Sequence, residues 1–249
     1  MIIVTAYHNR EKQLLKTLDS FRDYDDLEVI IVKDSEPLNL PLYPFSTTEI
    51  RIKNKSWINP GVNFNIGFAE ALSRNPDKII IQNPECYHVG NILSVIEEKL
   101  TDKNYLSFAC YSLGKDQDID FRDFNNRTAV SNGDSAWYNH SIYRPEALHF
   151  CCAITANNLR KINGFDENFA NGLGYEDNYL IHQIKTLGLK IDFVDNPYVL
   201  HQYHYDQKAF TFDADLYART GRLCEELKKR GTYRAEHYIT EDVDSGKSV

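Results

Sequence analysis

Residues 1–112 alternate between short apolar runs and longer stretches whose apolar side chains fall at helical spacing. Ile2 to Ala6, Leu27 to Val32, Lys78 to Ile81 and Tyr105 to Tyr111 have the length and the β-branched or aromatic content of buried strands, and Glu49 to Lys53 is a shorter one. Between them, Glu11 to Phe21 carries Leu14, Leu15, Leu18 and Phe21 on one stripe. Val62, Ile66 and Ala69 form a second stripe behind Asn59-Pro60-Gly61, and Asn91 to Leu100 is a third amphipathic helix. Strands alternating with helices predict an α/β fold: a mostly parallel central sheet with helices on both faces. Such sheets bind ligands outside the carboxyl ends of their strands.

The residues that follow each strand are polar. Tyr7, His8, Asn9 and Arg10 follow the first, Lys33, Asp34, Ser35 and Glu36 the second, and Gln82, Asn83 and Glu85 the fourth. These clusters would meet along one edge of the sheet, although ordinary loop polarity supplies the same residue types. Residues 113–149 then lose all periodicity while keeping Trp137, Tyr138, His140 and Tyr143. The length suggests function and the aromatics argue against plain disorder. The segment either borders the site, with Trp137 or Tyr138 touching a substrate, or is an insertion with a small core of its own.

Regular patterning returns at His149 to Thr155 as a strand and Asn157 to Ile162 as a helix. The run Gly172-Leu173-Gly174-Tyr175-Glu176-Asp177 opens a helix carrying Leu180, Ile181, Ile184 and Leu187. Lys190 to Val194 and Tyr198 to Tyr205 read as two further strands, Asp213 to Lys229 as a last amphipathic helix, and the chain from Thr240 as a polar tail. No repeat and no Pro-, Gly- or Ser-rich linker divides the chain, so residues 1–112 and 113–249 read as two halves of one domain.

Charge narrows the functional classes. A formal net charge of -8 over 249 residues argues against nucleic-acid binding, which needs clustered Lys and Arg. No apolar run is long enough to span a membrane. The five cysteines show no metal spacing, and together with a start that lacks signal-peptide character they predict reduced thiols in a cytoplasmic protein. The sequence has no G-x-G-x-x-G, no G-x-x-x-x-G-K-[ST] and no G-x-S-x-G, so dinucleotide, P-loop and serine-hydrolase chemistry lack their usual signals.

Three features remain. Asn83-Pro84-Glu85 is either a strand-ending turn or a pair of oxygen ligands facing one hard cation. Glu176-Asp177 sits where a helix dipole favours acids in any case. His201-Gln202-Tyr203-His204 places two imidazoles three residues apart at a strand end, a possible metal site.

In this order the features resemble the GT-A glycosyltransferases, of the family 2 type with a galactosyltransferase-like C-terminal half, over about residues 1–210. The resemblance rests on Ile2-Ile3-Val4-Thr5-Ala6-Tyr7-His8-Asn9-Arg10, on Asn59-Pro60-Gly61 with Asn65-Ile66-Gly67, and on Gly164-Phe165-Asp166-Glu167 with the Gly172 to Asp177 run. It implies a Rossmann-like single domain moving a sugar from a UDP- or GDP-type donor to a hydroxyl of a glycan or other acceptor. It further implies donor contacts from Thr5, Tyr7, Arg10, Asp34, Asn65, Gln82 and Asn83, with Asp34 at the base and Asn65 near the ribose. Acceptor contacts would come from Gly174 and Tyr175, and Asp177, beside Glu176, would be the base of an inverting reaction. The family's D-x-D metal motif is here Asn83-Pro84-Glu85, which leaves Glu85, with His201 or His204, to hold Mn²⁺ or Mg²⁺. A nucleotidyltransferase and a degenerate, non-catalytic glycan binder are the alternatives, the second favoured by the neutral Asn83.

Overall fold

The computed structural model describes residues 1–34, 38–122, 128–130, 133–204 and 212–237. Ser35, Glu36, Tyr205 and the tail from Thr240 lie outside the described residues. The elements run β1 (Ile2–Tyr7), α1 (Glu11–Asp19), β2 (Glu28–Lys33), β3 (Ser46–Arg51), α2 (Gly61–Ser73), β4 (Lys78–Gln82), β5 (Cys86–Val89), α3 (Ile92–Lys99) and β6 (Asn104–Ser112). They continue with β7 (Ala136–Asn139), β8 (Cys151–Thr155), α4 (Ala156–Ile162), α5 (Glu176–Thr186), β9 (Lys190–His201) and α6 (Ala214–Lys229).

The strands join one sheet in the order β3-β2-β1-β4-β8-β6-β9-β5, with β7 paired to β6. Pairing is parallel among β3, β2, β1 and β4 and again between β6 and β9. It is antiparallel where β8 meets β4 and β6, where β7 meets β6 and where β5 meets β9. Strands β1 to β4 therefore form the parallel sheet that the alternation predicts, and β5 to β9 are mixed.

Strand alternation builds two cores. Ile3 and Tyr7 of β1 face Leu14 and Leu18 of α1 and Ile92 and Ile96 of α3. Ile2 and Val4 face Phe64 and Phe68 of α2, Leu159 of α4 and Leu180 and Ile184 of α5. Gly67 on α2 lies against Val4, where a Cβ would come within 2.4 Å of Val4 Cγ1, so the helix can sit close on the strand only with glycine there.

Three elements differ from the sequence reading. Lys190 to His201 is one strand, which pairs with β6 along its length through a register shift between Phe108 and Cys110. Strands β5 and β7, which periodicity did not mark, are four residues each and draw their stability from their partners. Residues 113–149 contribute β7 and pack Leu113 and Trp137 with Ala109 and Tyr111 of β6 and Leu200 of β9, a core shared with the sheet.

Candidate functional site

The chain leaves β4 through Gln82-Asn83-Pro84-Glu85, a turn closed by the Cys86 N–H donating to the Asn83 carbonyl at 3.1 Å. The next strand pairs antiparallel with β9, Cys86 opposite His201, and the Gln202 N–H donates to the Glu85 carbonyl at 3.0 Å. Register alone thus sets the Glu85 side chain beside the end of β9. His201 Nε2 lies 3.1 Å and His204 Nε2 3.6 Å from Glu85 Oε1. The ligand atoms of these three residues all fall within 4.8 Å of one another. Gln202, between the histidines, is fixed to α1: its amide donates to the Gln13 carbonyl and to Thr17 Oγ1.

Arg10 enters the same cluster, donating from Nη1 to Glu85 Oε1 at 2.7 Å. Glu85 is 2% exposed. Burial alone would raise its carboxyl, but the Arg10 guanidinium and the two histidines outweigh that and hold it well below the usual carboxylate range. Burial, partly opposed by Glu85 and reinforced by Arg10, brings His204 down to about 4, so its imidazole is neutral and can serve as a ligand. Glu85 Oε2 is buried without a hydrogen-bond partner among the described residues. One carboxylate and two imidazoles, with one carboxylate oxygen unused, form a donor set suited to a divalent transition metal such as Mn²⁺.

The acidic pair stands at the start of α5. Tyr175, the residue before it, has φ 68° in the left-handed region, directly after Gly174 with φ 70°. Glu176 is buried and accepts from Asn59 Nδ2 at 2.8 Å, which ties it to the entry of α2. Burial, and then the neighbouring Asp177 charge, push the Glu176 carboxyl up to about 7. Asp177 is half-buried, and its Oδ1 accepts the Asn178 N–H at 2.7 Å. His149 lies in the turn before β8. Its imidazole is buried against Phe64 and Phe165, and it feels the charges of both Asp177 and Glu85. Burial lowers its pKa, and Nδ1 has no hydrogen-bond partner among the described residues. Sequence reading placed His149 only at a strand start, and its aromatic packing has no signature in the chain.

Asp34, at the end of β2, is held on both oxygens. His8 Nδ1 is 2.6 Å from Oδ1, and Lys55 Nζ at 2.5 Å and Asn63 Nδ2 at 3.1 Å reach Oδ2. Burial would raise this carboxyl, but these hydrogen bonds and the Lys55 charge lower it.

Several expected ligand contacts are otherwise employed. Thr5 and Tyr7 point inward because their positions on β1 face α1, and both are buried. The Gln82 amide donates to the Cys86 carbonyl at 2.6 Å and lies 3.1 Å from His88 Nε2, so it closes the β4–β5 turn. Asn65 receives the Phe165 N–H and donates to the Phe165 carbonyl and to Glu167, locking α2 to the loop after α4. Asn83 is half-buried, with its N–H on the Phe150 carbonyl. Trp137 and Tyr138 are each 5% exposed. The indole packs edge-on to Tyr111, and Tyr138 packs on Phe150 and edge-on to His201. Neither ring is presented to solvent, so the excursion supports the site from behind.

The chain is similar in structure to several solved proteins. The chain superposes on S. aureus TarS residues 1–349 in complex with UDP with a TM-score of 0.59, at 14% identity, over 96% of this chain and 67% of that one. It superposes on the same protein in complex with UDP-GlcNAc with a TM-score of 0.55, at 13% identity, over 96% of this chain and 68% of that one. GalNAc-T7 with UDP, GalNAc and Mn²⁺ gives a TM-score of 0.55 at 15% identity, over 82% of this chain and 44% of that one. The chain has the GT-A fold of glycosyltransferases. A family model described as the N-terminal domain of galactosyltransferase matches residues 123–205. That stretch contains Glu176, Asp177, His201 and His204. The chain spans 60% of the length of another matched TarS structure. No curated protein matches it in sequence. Among the described residues, no helix is long and apolar enough to cross a membrane.

Proposed function

We propose that this protein transfers a hexosyl group from a UDP- or GDP-type nucleotide sugar to an acceptor hydroxyl, with inversion at the anomeric carbon. The observation that carries the proposal is the Glu85-His201-His204 cluster, with ligand atoms within 4.8 Å of one another, in a GT-A fold whose α5 opens on a second acidic cluster, Glu176-Asp177. One cluster suits a diphosphate leaving group and the other an attacking hydroxyl.

In this reading Asp177 accepts the proton of the acceptor hydroxyl as its oxygen attacks the anomeric carbon and the bond to the diphosphate breaks. Glu176, raised to about 7 by burial and by Asp177, shares the local charge, so the pair divides its labour as coupled carboxylates do. A divalent cation, Mn²⁺ or Mg²⁺, held by Glu85, His201 and His204, would supply charge neutralisation at the departing diphosphate. Arg10 adds a second positive group at the same place. Asp34, fixed by Lys55, His8 and Asn63, forms the wall against which the base would lie.

The test is a thermal-shift screen of UDP- and GDP-sugars with and without Mn²⁺, followed by transfer assays on wild type and Asp177→Asn. A bound donor should raise the melting temperature, by about 2.7 kcal/mol of stabilisation at a hundredfold excess over its Kd. Asp177→Asn should keep that shift and lose transfer by about 10² to 10⁴. Wild-type turnover in the variant would remove Asp177 from the reaction, and no shift with any nucleotide sugar would remove the function.

A further inference from the structure

Positive charge gathers where three helices end. Residues 156–161, 182–190 and 228–235 hold eight of the 28 Lys and Arg of the chain and none of its 36 Asp and Glu. These segments carry the last turns of α4, α5 and α6. Gln183 joins all three: its amide donates to the Ile162 carbonyl at 3.2 Å and to the Tyr233 carbonyl at 3.1 Å. The Ala235 N–H reaches the same Ile162 carbonyl at 2.8 Å, and Arg234 Nη1 donates to the Arg160 carbonyl at 3.1 Å. Lys190, Lys228 and Arg230 are paired with Asp192, Glu225 and Glu236. The other five, Arg160, Lys161, Lys185, Lys229 and Arg234, are exposed, and among the described residues none of them forms a salt bridge. Asp77 and Asp102 mark the border, in a hollow beside Arg160. The helix dipole favours a cation in any last turn, which explains Lys161, Lys185 and Lys229 one at a time. It does not explain why three segments remote in sequence are free of acid where they meet, in a chain of net charge -8. Tyr233 lies within this face and is 41% exposed.

We propose that this face attaches the protein, peripherally and reversibly, to the anionic surface of a lipid bilayer. Each Lys or Arg near such a surface strengthens attachment about fivefold, and long basic side chains can reach it while their stems stay on the protein. A half-exposed tyrosine among them suits the bilayer–water boundary, where one end of the ring is apolar and the other wet. The carbonyl ends of α4, α5 and α6 point to the same place, so a phosphate cannot approach closely enough for a specific pocket. The face therefore reads charge density and not one headgroup. A flexible polyanion would run past the patch onto the acidic remainder of the chain, whereas a bilayer touches only the face turned towards it. None of the five cations belongs to the Glu85 or Glu176 cluster, so the proposal does not depend on the transfer reaction.

Co-sedimentation of the full chain with vesicles tests the proposal, using phosphatidylcholine alone and phosphatidylcholine with about 30% phosphatidylglycerol or about 30% phosphatidylserine. Wild type should bind both anionic kinds alike and at least about tenfold more tightly than the neutral one, and raising salt from about 0.05 M to about 0.5 M should release it. The triple variant Lys161→Gln, Lys185→Gln, Lys229→Gln should bind about a hundredfold more weakly, at about fivefold per cation. The triple variant Lys12→Gln, Arg51→Gln, Lys53→Gln removes the same charge from exposed positions on and beside α1 and β3, and should weaken binding no more than about threefold. Melting curves report whether the variants fold. The single variants Lys161→Gln, Lys185→Gln and Lys229→Gln, each weaker by about fivefold, carry the test if the first triple variant does not. No preference for anionic vesicles, equal affinity in the two triple variants, or binding to soluble polyphosphate without binding to vesicles overturns the proposal.

Discussion

Arg10 occupies the oxygen that a cation would need. Its Nη1 donates to Glu85 Oε1 at 2.7 Å, and the same oxygen faces both histidines. Removing one partner of a fully buried ion pair costs about 3–5 kcal/mol. The Arg10 side chain is 26% exposed and His201 stays beside the carboxylate, so a discounted cost of about 2 kcal/mol is expected for Arg10→Gln. The pH dependence has a defined sign. Glu85 titrates below its unfolded value, so its contribution is present above the ordinary carboxylate range and is lost as pH falls through the folded value. Without Arg10 the folded value rises, and acid unfolding should begin at higher pH. The metal consequence runs the other way. If Arg10 and Mn²⁺ compete for Oε1, releasing about 2 kcal/mol of competition should tighten Mn²⁺ binding roughly thirtyfold in the variant without nucleotide. Added UDP should narrow the gap, because a diphosphate draws Arg10 away in wild type. Calorimetric Mn²⁺ titrations of both proteins, with and without UDP, and urea unfolding with and without Mn²⁺ read all of this. Equal or weaker Mn²⁺ binding in Arg10→Gln, or a stability loss that saturating Mn²⁺ does not reduce, would refute the competition.

Glu176→Gln keeps an acceptor for Asn59 and removes a buried charge. Burial and the Asp177 charge push the wild-type carboxyl up to about 7 from an ordinary value of 4.5, so the stability it lends is full below 4.5 and lost as pH rises through 7. Urea unfolding should therefore show the variant more stable than wild type at pH 8, by at most about 3 kcal/mol, and equal to it near pH 4.5. A constant difference across that range would mean that Glu176 does not titrate there. Trp137→Ala should destabilise by about 3–5 kcal/mol through the lost core of Tyr111, Leu113 and Leu200, with no specific rise in acceptor KM. A raised KM at unchanged stability would put the indole back at the substrate.

The architecture and the acidic elements of the site were legible because each depends on local pattern. Apolar runs marked β1, β2, β4 and β6, and the Gly-Leu-Gly-Tyr-Glu-Asp run marked the opening of α5. The Gln82 to Glu85 segment is a turn, and its outgoing strand aims the Glu85 carboxylate at the end of β9. What sequence could not give was side-chain direction at strand ends. Thr5 and Tyr7 precede a binding edge in sequence yet face the core, because their alternation on β1 is set by Ile3 and Leu14. Asn65 and Gln82 look like ligand groups and are joints. His149 gains its position from packing against Phe64 of α2, a segment far away in the chain, which no spacing encodes.

Those joints explain how a site assembled from distant segments keeps its shape. Apolar contacts between helices and sheet tolerate small slides, because burial is not directional. A buried amide is not tolerant, since each unmade bond leaves a desolvated donor or acceptor. Asn59 links the entry of α2 to Glu176, and Asn65 links the same helix to Phe165 and Glu167. Gln202 links the end of β9 to Gln13, Thr17 and the Glu85 carbonyl. The first two hold the acidic pair against α2, and the third holds both histidines against the turn that carries Glu85. The metal-type cluster and the acidic pair are thus each fixed to the parallel half of the sheet by directional bonds. Their separation is set by that half.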